Sequence, residues 1–237
     1  MHLHDINMKE FKAGLKKTRT LIVPYGTIEA HGTHLPLSTD TIAMVRVCVE
    51  VARKIPVFVA PPLHYGVCTS SGQHPGTLSI TPETLRRITL DIVRDAASKG
   101  LKNFILISGH GGGIHTFAMK EAGEILKAEL KGIQLAALTI YEIINAEAEE
   151  IADSKGDSHA GELETSLMLH LNPELVKGRS KKERPKFKRP FIASNKLKYW
   201  PGAVNGDPKL ATVEKGERFF NVMVKKTIGL VRDIEKL

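Results

Sequence analysis

Asn103-Phe104-Ile105-Leu106-Ile107-Ser108-Gly109-His110-Gly111-Gly112-Gly113 is the stretch on which the fold turns. Its first half is a short apolar run, the mark of a buried strand. Glycines stop it, and Thr116–Leu130 then reads as a helix that ends near Gly132. The same alternation extends in both directions. Thr20–Pro24 is a buried strand with Leu21, Ile22 and Val23 continuous, and Thr41–Lys54 is a helix because Ile42, Val45, Val49 and Ala52 recur at helical spacing. Val57–Pro61 is a strand stopped by Pro61 and Pro62. Thr81 caps a helix over Pro82–Lys99, with Pro82 at the first position and Gly100 at the end. Gln134–Thr139 is a fourth strand, Leu163–Leu171 a helix closed by Asn172-Pro173, and a last helix runs from about Gly216 to the C-terminus. Strands alternating with helices predict an α/β fold: one layered domain over 1–237, with a mostly parallel central sheet flanked by helices.

The totals are those of an ordinary globular chain. Of 237 residues, 42% are hydrophobic and 25% charged, which argues against disorder. No apolar run approaches the length of a membrane span. The N-terminus, with His2, His4 and Asp5, has no apolar signal core, so a cytoplasmic location is expected. Cys48 and Cys68 form no paired motif, so no disulfide framework is indicated. The net charge of +8 draws on a basic segment at about 177–198, containing Lys177, Arg179, Lys181, Lys182, Arg184, Lys186, Lys188, Arg189, Lys196 and Lys198. Such a segment can bind an anion or nucleic acid. Phe187 and Phe191 give it no regular stacking pattern, so the reading preferred is a solvated loop or insertion, with nucleic acid disfavoured.

In parallel sheets, ligands bind beyond the carboxyl ends of the strands. The first strand leads to Glu29 and His31, the second to His64 and Ser70-Ser71-Gly72, and the third to His110, which puts these three polar groups on one edge of the sheet. Three clusters carry candidate chemistry. After the first strand come Glu29, His31, His34 and Asp40. Carboxylates and imidazoles together suit zinc, manganese or iron, and Asp40 has two oxygens with which to bridge two ions. The competing reading makes Asp40 the N-cap of the following helix. After the third strand comes His110 among glycines, where a ligand can approach the backbone; the competing reading is a tight turn with a solvated histidine. The third cluster holds Asp157, His159, Glu162 and Glu164. His159 suits proton transfer and the two glutamates metal ligation or support, against a plain acidic helix start. Ser71, His74, Gly111 and Gly112 are candidate substrate-binding residues, with His64 and His115 nearby.

Taken together, these segments resemble the creatininase (creatinine amidohydrolase) family. Gly26–Asp40 resembles its metal-binding signature, Ser108–Gly113 its strand-end segment, Pro75-Gly76-Thr77 its turn, His159–Ser166 its HAGExETS segment and Gly206-Asp207-Pro208 with Ala211-Thr212 its C-terminal segment. The resemblance implies two divalent ions per chain, zinc first, with manganese or iron as alternatives. Glu29, Asp40 and His110 would hold one ion, and His31 and Asp40 part of the second. Creatininase completes the second site with a glutamate two residues after the strand-end histidine; here Gly112 stands there. Glu162 is the first candidate replacement and Glu164 the second. His159 matches the histidine that handles protons.

The activity implied is metal-dependent hydrolysis of a non-peptide C–N bond, in a cyclic amide or formamide of a small molecule. An alternative is deformylation of a formylaminopyrimidine nucleotide in flavin or deazaflavin biosynthesis. An alternative of another class is a non-enzymatic anion or nucleic-acid binder that uses the basic segment. Homo-oligomeric assembly, as a hexamer, is also implied by the resemblance.

Overall fold

Three six-residue strands end flush, and that alignment builds the site. The computed structural model describes residues 1–188 and 190–237; Arg189 of the basic segment lies outside the described residues. The strands are β1 (Thr20–Tyr25), β2 (Phe58–Val59), β3 (Asn103–Ser108) and β4 (Gln134–Thr139), in the order β2-β1-β3-β4. All pairings are parallel. Tyr25, Ser108 and Thr139 stand level across the sheet, so β1, β3 and β4 release their chains at one edge. The chain passes from β1 out to β2 and then returns to the other side of β1 as β3. The crevice between β1 and β3 is therefore the switch point at which such sheets bind ligands.

Side chains alternate across a strand, and both faces here are apolar. Ile22, Ile105 and Ile107 face one core, with α2 (Thr39–Lys54), α5 (Tyr141–Ile151), α6 (Glu162–Leu171) and α8 (Val213–Ile234). Leu21, Val23, Phe104 and Leu106 face the other, with α1 (Met8–Gly14), α3 (Pro82–Ser98) and α4 (Gly113–Glu129). The expected mostly parallel sheet flanked by helices is the fold observed. A short α7 (Lys196–Tyr199) follows the basic segment.

Helices α1, α5 and α7 escaped the sequence reading. Helix α5 starts directly after β4, with Ile140 at the cap position and no side-chain cap, so it carries no start signal. Helix α1 has a capping box from Asn7 and Glu10, but spans 7 residues. No helix among the described residues is long and apolar enough to cross a membrane.

Candidate metal centre

The three predicted clusters meet at the β1/β3 crevice. Helix α2 presses its first turn against the end of β3: a side chain at Gly109 would collide with the Asp40 backbone. That close approach brings Asp40 beside His110. The N-cap of α2 is Ser38, and it makes no side-chain cap bond. Asp40 is thus not the cap, contrary to the competing reading. Its Oδ2 instead accepts a hydrogen bond from Thr27 Oγ1 at 2.5 Å.

Glu29, His31, Asp40, His110 and Glu164 are all buried. His31 Nδ1 donates to the Glu29 carbonyl at 2.9 Å. A carbonyl can only accept, so the proton of a neutral ring is on Nδ1. The lone pair on Nε2 then faces Asp40 Oδ1 at 3.2 Å and Glu164 Oε2 at 3.6 Å. His110 repeats the arrangement. Its Nε2 donates to the Val67 carbonyl at 3.2 Å, which leaves Nδ1 facing Glu29 Oε2 at 2.8 Å and Asp40 Oδ2 at 3.3 Å. Each imidazole thus presents an acceptor to two carboxylate oxygens, and Asp40 supplies one oxygen to each group. Such contacts are repulsive unless a proton or a metal cation lies between them.

Charge and burial agree. Burial drives the His31 imidazole down, but the Asp40, Glu164 and Glu29 carboxylates carry it up to about 10. His110 is likewise opposed by burial and raised well above the ordinary range, by Glu29 and Asp40. Asp40 is opposed by burial and held well below the carboxylate range by His31 and His110. Even so, Glu29 Oε2 and His31 Nε2 are buried polar atoms with no aligned hydrogen bond. Buried polar atoms are almost always satisfied. Two orphans in one cluster of carboxylates and imidazoles fit divalent cations by donor type and by count.

Glu162 does not reach this cluster. Its carboxylate accepts from the backbone N–H groups of Asp153 at 3.0 Å and Ser154 at 2.7 Å, and it pairs with Lys215. Its expected place as first candidate for the second ion is therefore corrected: both oxygens are engaged elsewhere. Glu164, two residues on and therefore on the opposite side of α6, does reach. Ala160 N–H holds its Oε2 at 2.6 Å and Tyr141 donates to its Oε1 at 2.6 Å. Ala160 adopts a left-handed conformation, φ 48°, an uncommon one for a residue with a side chain. Tyr141 was missed by the sequence reading because it opens the unsignalled α5. Gly112 has no side chain to offer, and a Cβ there would run into the His110 ring.

His159 stacks on His31, with ring centroids 4.1 Å apart. Its Nε2 donates to the Ala30 carbonyl at 2.7 Å, which leaves Nδ1 as the basic nitrogen. Burial and the neighbouring His31 both push its imidazole below the ordinary range. Asp157 caps α6, accepting from Glu162 N at 2.8 Å and Leu163 N at 2.9 Å; burial raises its carboxyl to about 6.

A cavity of about 460 Å³ opens over the cluster, lined in part by Glu29, His110, Gly111, Gly112, Tyr141, His159, Glu164 and Trp200. Gly111 and Gly112 line this cavity. Ser71 and His74 do not. Ser71 is buried and donates to Glu29 Oε1. His74 is buried, with both nitrogens on carbonyl oxygens, of Ser71 at 3.1 Å and Trp200 at 2.6 Å. Both act on the site by holding its walls. His34 and His115 are similarly taken up by internal hydrogen bonds, His34 with Ser180 and Thr165, and His115 with Val67 and Ser108. The basic segment is more than a solvated loop: Pro185 and Phe187 line the cavity, and Arg184 anchors to Asn205, Ser154 and Lys155.

A family model described as "Creatininase: Creatinine amidohydrolase" matches residues 4–231. The chain is 31% identical over 237 residues to the mycofactocin precursor peptide peptidase of Mycobacterium ulcerans (strain Agy99), covering 90% of this chain and 84% of that protein. It is 29% identical over 250 residues to the creatinine amidohydrolase of Pseudomonas putida, covering 97% and 95%. A solved creatininase designated as its Mn form superposes with a TM-score of 0.86 at 26% identity, covering 98% of this chain and 97% of that one.

Proposed function

Because the chain belongs to the creatininase family, we propose that it is an amidohydrolase working with two divalent cations on a small amide or formamide. One observation carries this reading: two buried imidazole lone pairs each face two carboxylate oxygens, with Asp40 common to both sets. Glu29, Asp40 and His110 would hold one ion, and His31, Asp40 and Glu164 the other. When bound, such a pair supplies Lewis acidity and a water acidified to near neutrality. Zinc is the first choice and manganese or iron the alternatives, since the donors are nitrogen and oxygen.

The chain's own groups supply the rest. Ala30 fixes the proton of His159 on Nε2, so Nδ1 is the nitrogen that takes a proton and passes it to the departing amine. Its stacking on His31 limits ring rotation. Trp200 packs edge-on against His159, with centroids 5.1 Å apart, and lines the cavity beside it.

Gly112 in place of a glutamate argues against creatinine as the substrate. The cavity falls within the range for drug-sized ligands, about 300–1,000 Å³, and so admits more than one small ring. The candidates are a formylaminopyrimidine nucleotide and the end of a peptide, the latter because the Mycobacterium ulcerans relative is named a precursor peptide peptidase. A non-enzymatic anion binder leaves the buried acceptor pairs unexplained. We also propose a cytoplasmic setting, consistent with two free cysteines, and homo-oligomeric assembly, for which exposed Ile114 and Phe117 at the start of α4 offer apolar surface.

The test is a panel of cyclic amides, formamides and short peptides, assayed with metal-stripped protein and after adding back zinc, manganese or iron. Hydrolysis that appears only with metal supports the reading. A fully loaded protein inert on the whole panel contradicts it.

A further inference from the structure

Cys68 is a soft donor at this centre. It lies in the segment between β2 and α3, is 2% exposed, and has its backbone fixed by Ser79. Its Sγ, a Glu29 carboxylate oxygen and a His110 ring nitrogen all lie within 4.8 Å of one another. That spread is one that a single cation with bonds of about 2.0–2.3 Å can gather. Glu29 Oε2, which lies 2.8 Å from His110 Nδ1, is one of the orphaned buried atoms. No disulfide partner competes for the sulfur, since both cysteines are free and the other, Cys48, sits in the core around α2.

We propose that Cys68 is a thiolate ligand to the cation held by Glu29, Asp40 and His110, which makes the two metal positions chemically unequal. The inference rests on the metal-centre reading above. Cation binding displaces the thiol proton to solvent, and the sulfur–metal bond takes its place. A thiolate selects zinc or iron over manganese and magnesium, which prefer oxygen. The ion shared by Glu29 and His110 would then be the selective one. The ion held by His31, Asp40 and Glu164 would have only nitrogen and oxygen donors and would exchange more freely.

X-ray absorption on the zinc-loaded full-length protein reads this directly. A sulfur shell at about 2.3 Å, beside nitrogen and oxygen at about 2.0–2.2 Å, is expected, with one sulfur shared over the two ions. Cys68→Ala should lose that shell and retain the nitrogen and oxygen shell. If Cys68→Ala fails to fold, Cys48→Ala serves instead: retention of the sulfur shell there assigns it to Cys68. Two bound zinc ions with only nitrogen and oxygen neighbours in the wild type would overturn the proposal and leave the metal centre standing. A sulfur shell that persists in Cys68→Ala would overturn it too. Absence of any bound zinc would overturn the metal-centre reading, and this inference with it.

Discussion

Tyr141→Phe separates a support role at the second ion from a merely structural one. The phenol donates to Glu164 Oε1 at 2.6 Å inside the protein, and the same carboxylate faces His31 Nε2 through its other oxygen. A hydrogen bond to a charged group contributes about 1.5–3 kcal/mol. At about 1.4 kcal/mol per tenfold change, this is about 10–100-fold in affinity. The range agrees with the usual loss when an outer partner of a metal ligand is removed, also about 10–100-fold. Phenylalanine keeps the ring and its packing, and Ala160 N–H still holds Oε2. Calorimetric titration of metal-stripped protein with zinc should therefore show one of two sites weakened by that factor and the other within about twofold. Equal weakening of both sites, or of neither, would refute the assignment of Glu164 to one ion alone.

Glu162 and Glu164, two residues apart on α6, should behave oppositely. Glu162→Ala leaves the Asp153 and Ser154 N–H groups without their acceptor, while Lys215 keeps Asp153 and the Leu210 carbonyl, and should cost about 1–3 kcal/mol of stability; metal content should be unchanged, by denaturation and elemental analysis. Glu164→Ala should lower metal content instead. The metal-free protein should also lose stability as pH rises. His31, brought to about 10 in the fold against an ordinary 6.5, binds more protons folded than unfolded between those values. Its contribution is complete below pH 6.5 and lost as pH climbs through about 10, whereas zinc-loaded protein should not follow this trend. Chemical denaturation of both forms across that window measures the difference; parallel curves would count against a cation shared with His31.

Periodicity exposed the fold almost to its boundaries where a segment was both apolar and punctuated. β3 and β4 fell on Asn103–Ser108 and Gln134–Thr139, and α3 on its Pro82 start. Helix α5 was not legible, because its N-cap position is Ile140 and nothing in the local chemistry announces a start. At the site, Glu29, His31, Asp40 and His110 were legible as residue types at strand ends. The choice between Glu162 and Glu164 was not. It depends on contacts made around the start of α6, where Asp153, Ser154 and Lys215 of α8 draw one glutamate away and Ala160 and Tyr141 of α5 hold the other inward. Ser71 and His74 read as binding residues because they are polar loop residues beside the site. Only tertiary contacts show that their polar atoms are spent on Glu29, Trp200 and each other. Cys68 reads in the sequence only as a cysteine without a paired motif, and the fold brings it near Glu29 and His110.

The central claim is that these residues form a paired cation site with Asp40 common to both ions. Elemental analysis of the purified protein, beside Asp40→Ala, tests it most directly. The account predicts about two equivalents of zinc, manganese or iron per chain, and near-complete loss of both in Asp40→Ala with the fold intact. Wild-type protein that retains no metal after supplementation with each ion, or an Asp40→Ala protein that keeps both, would contradict it.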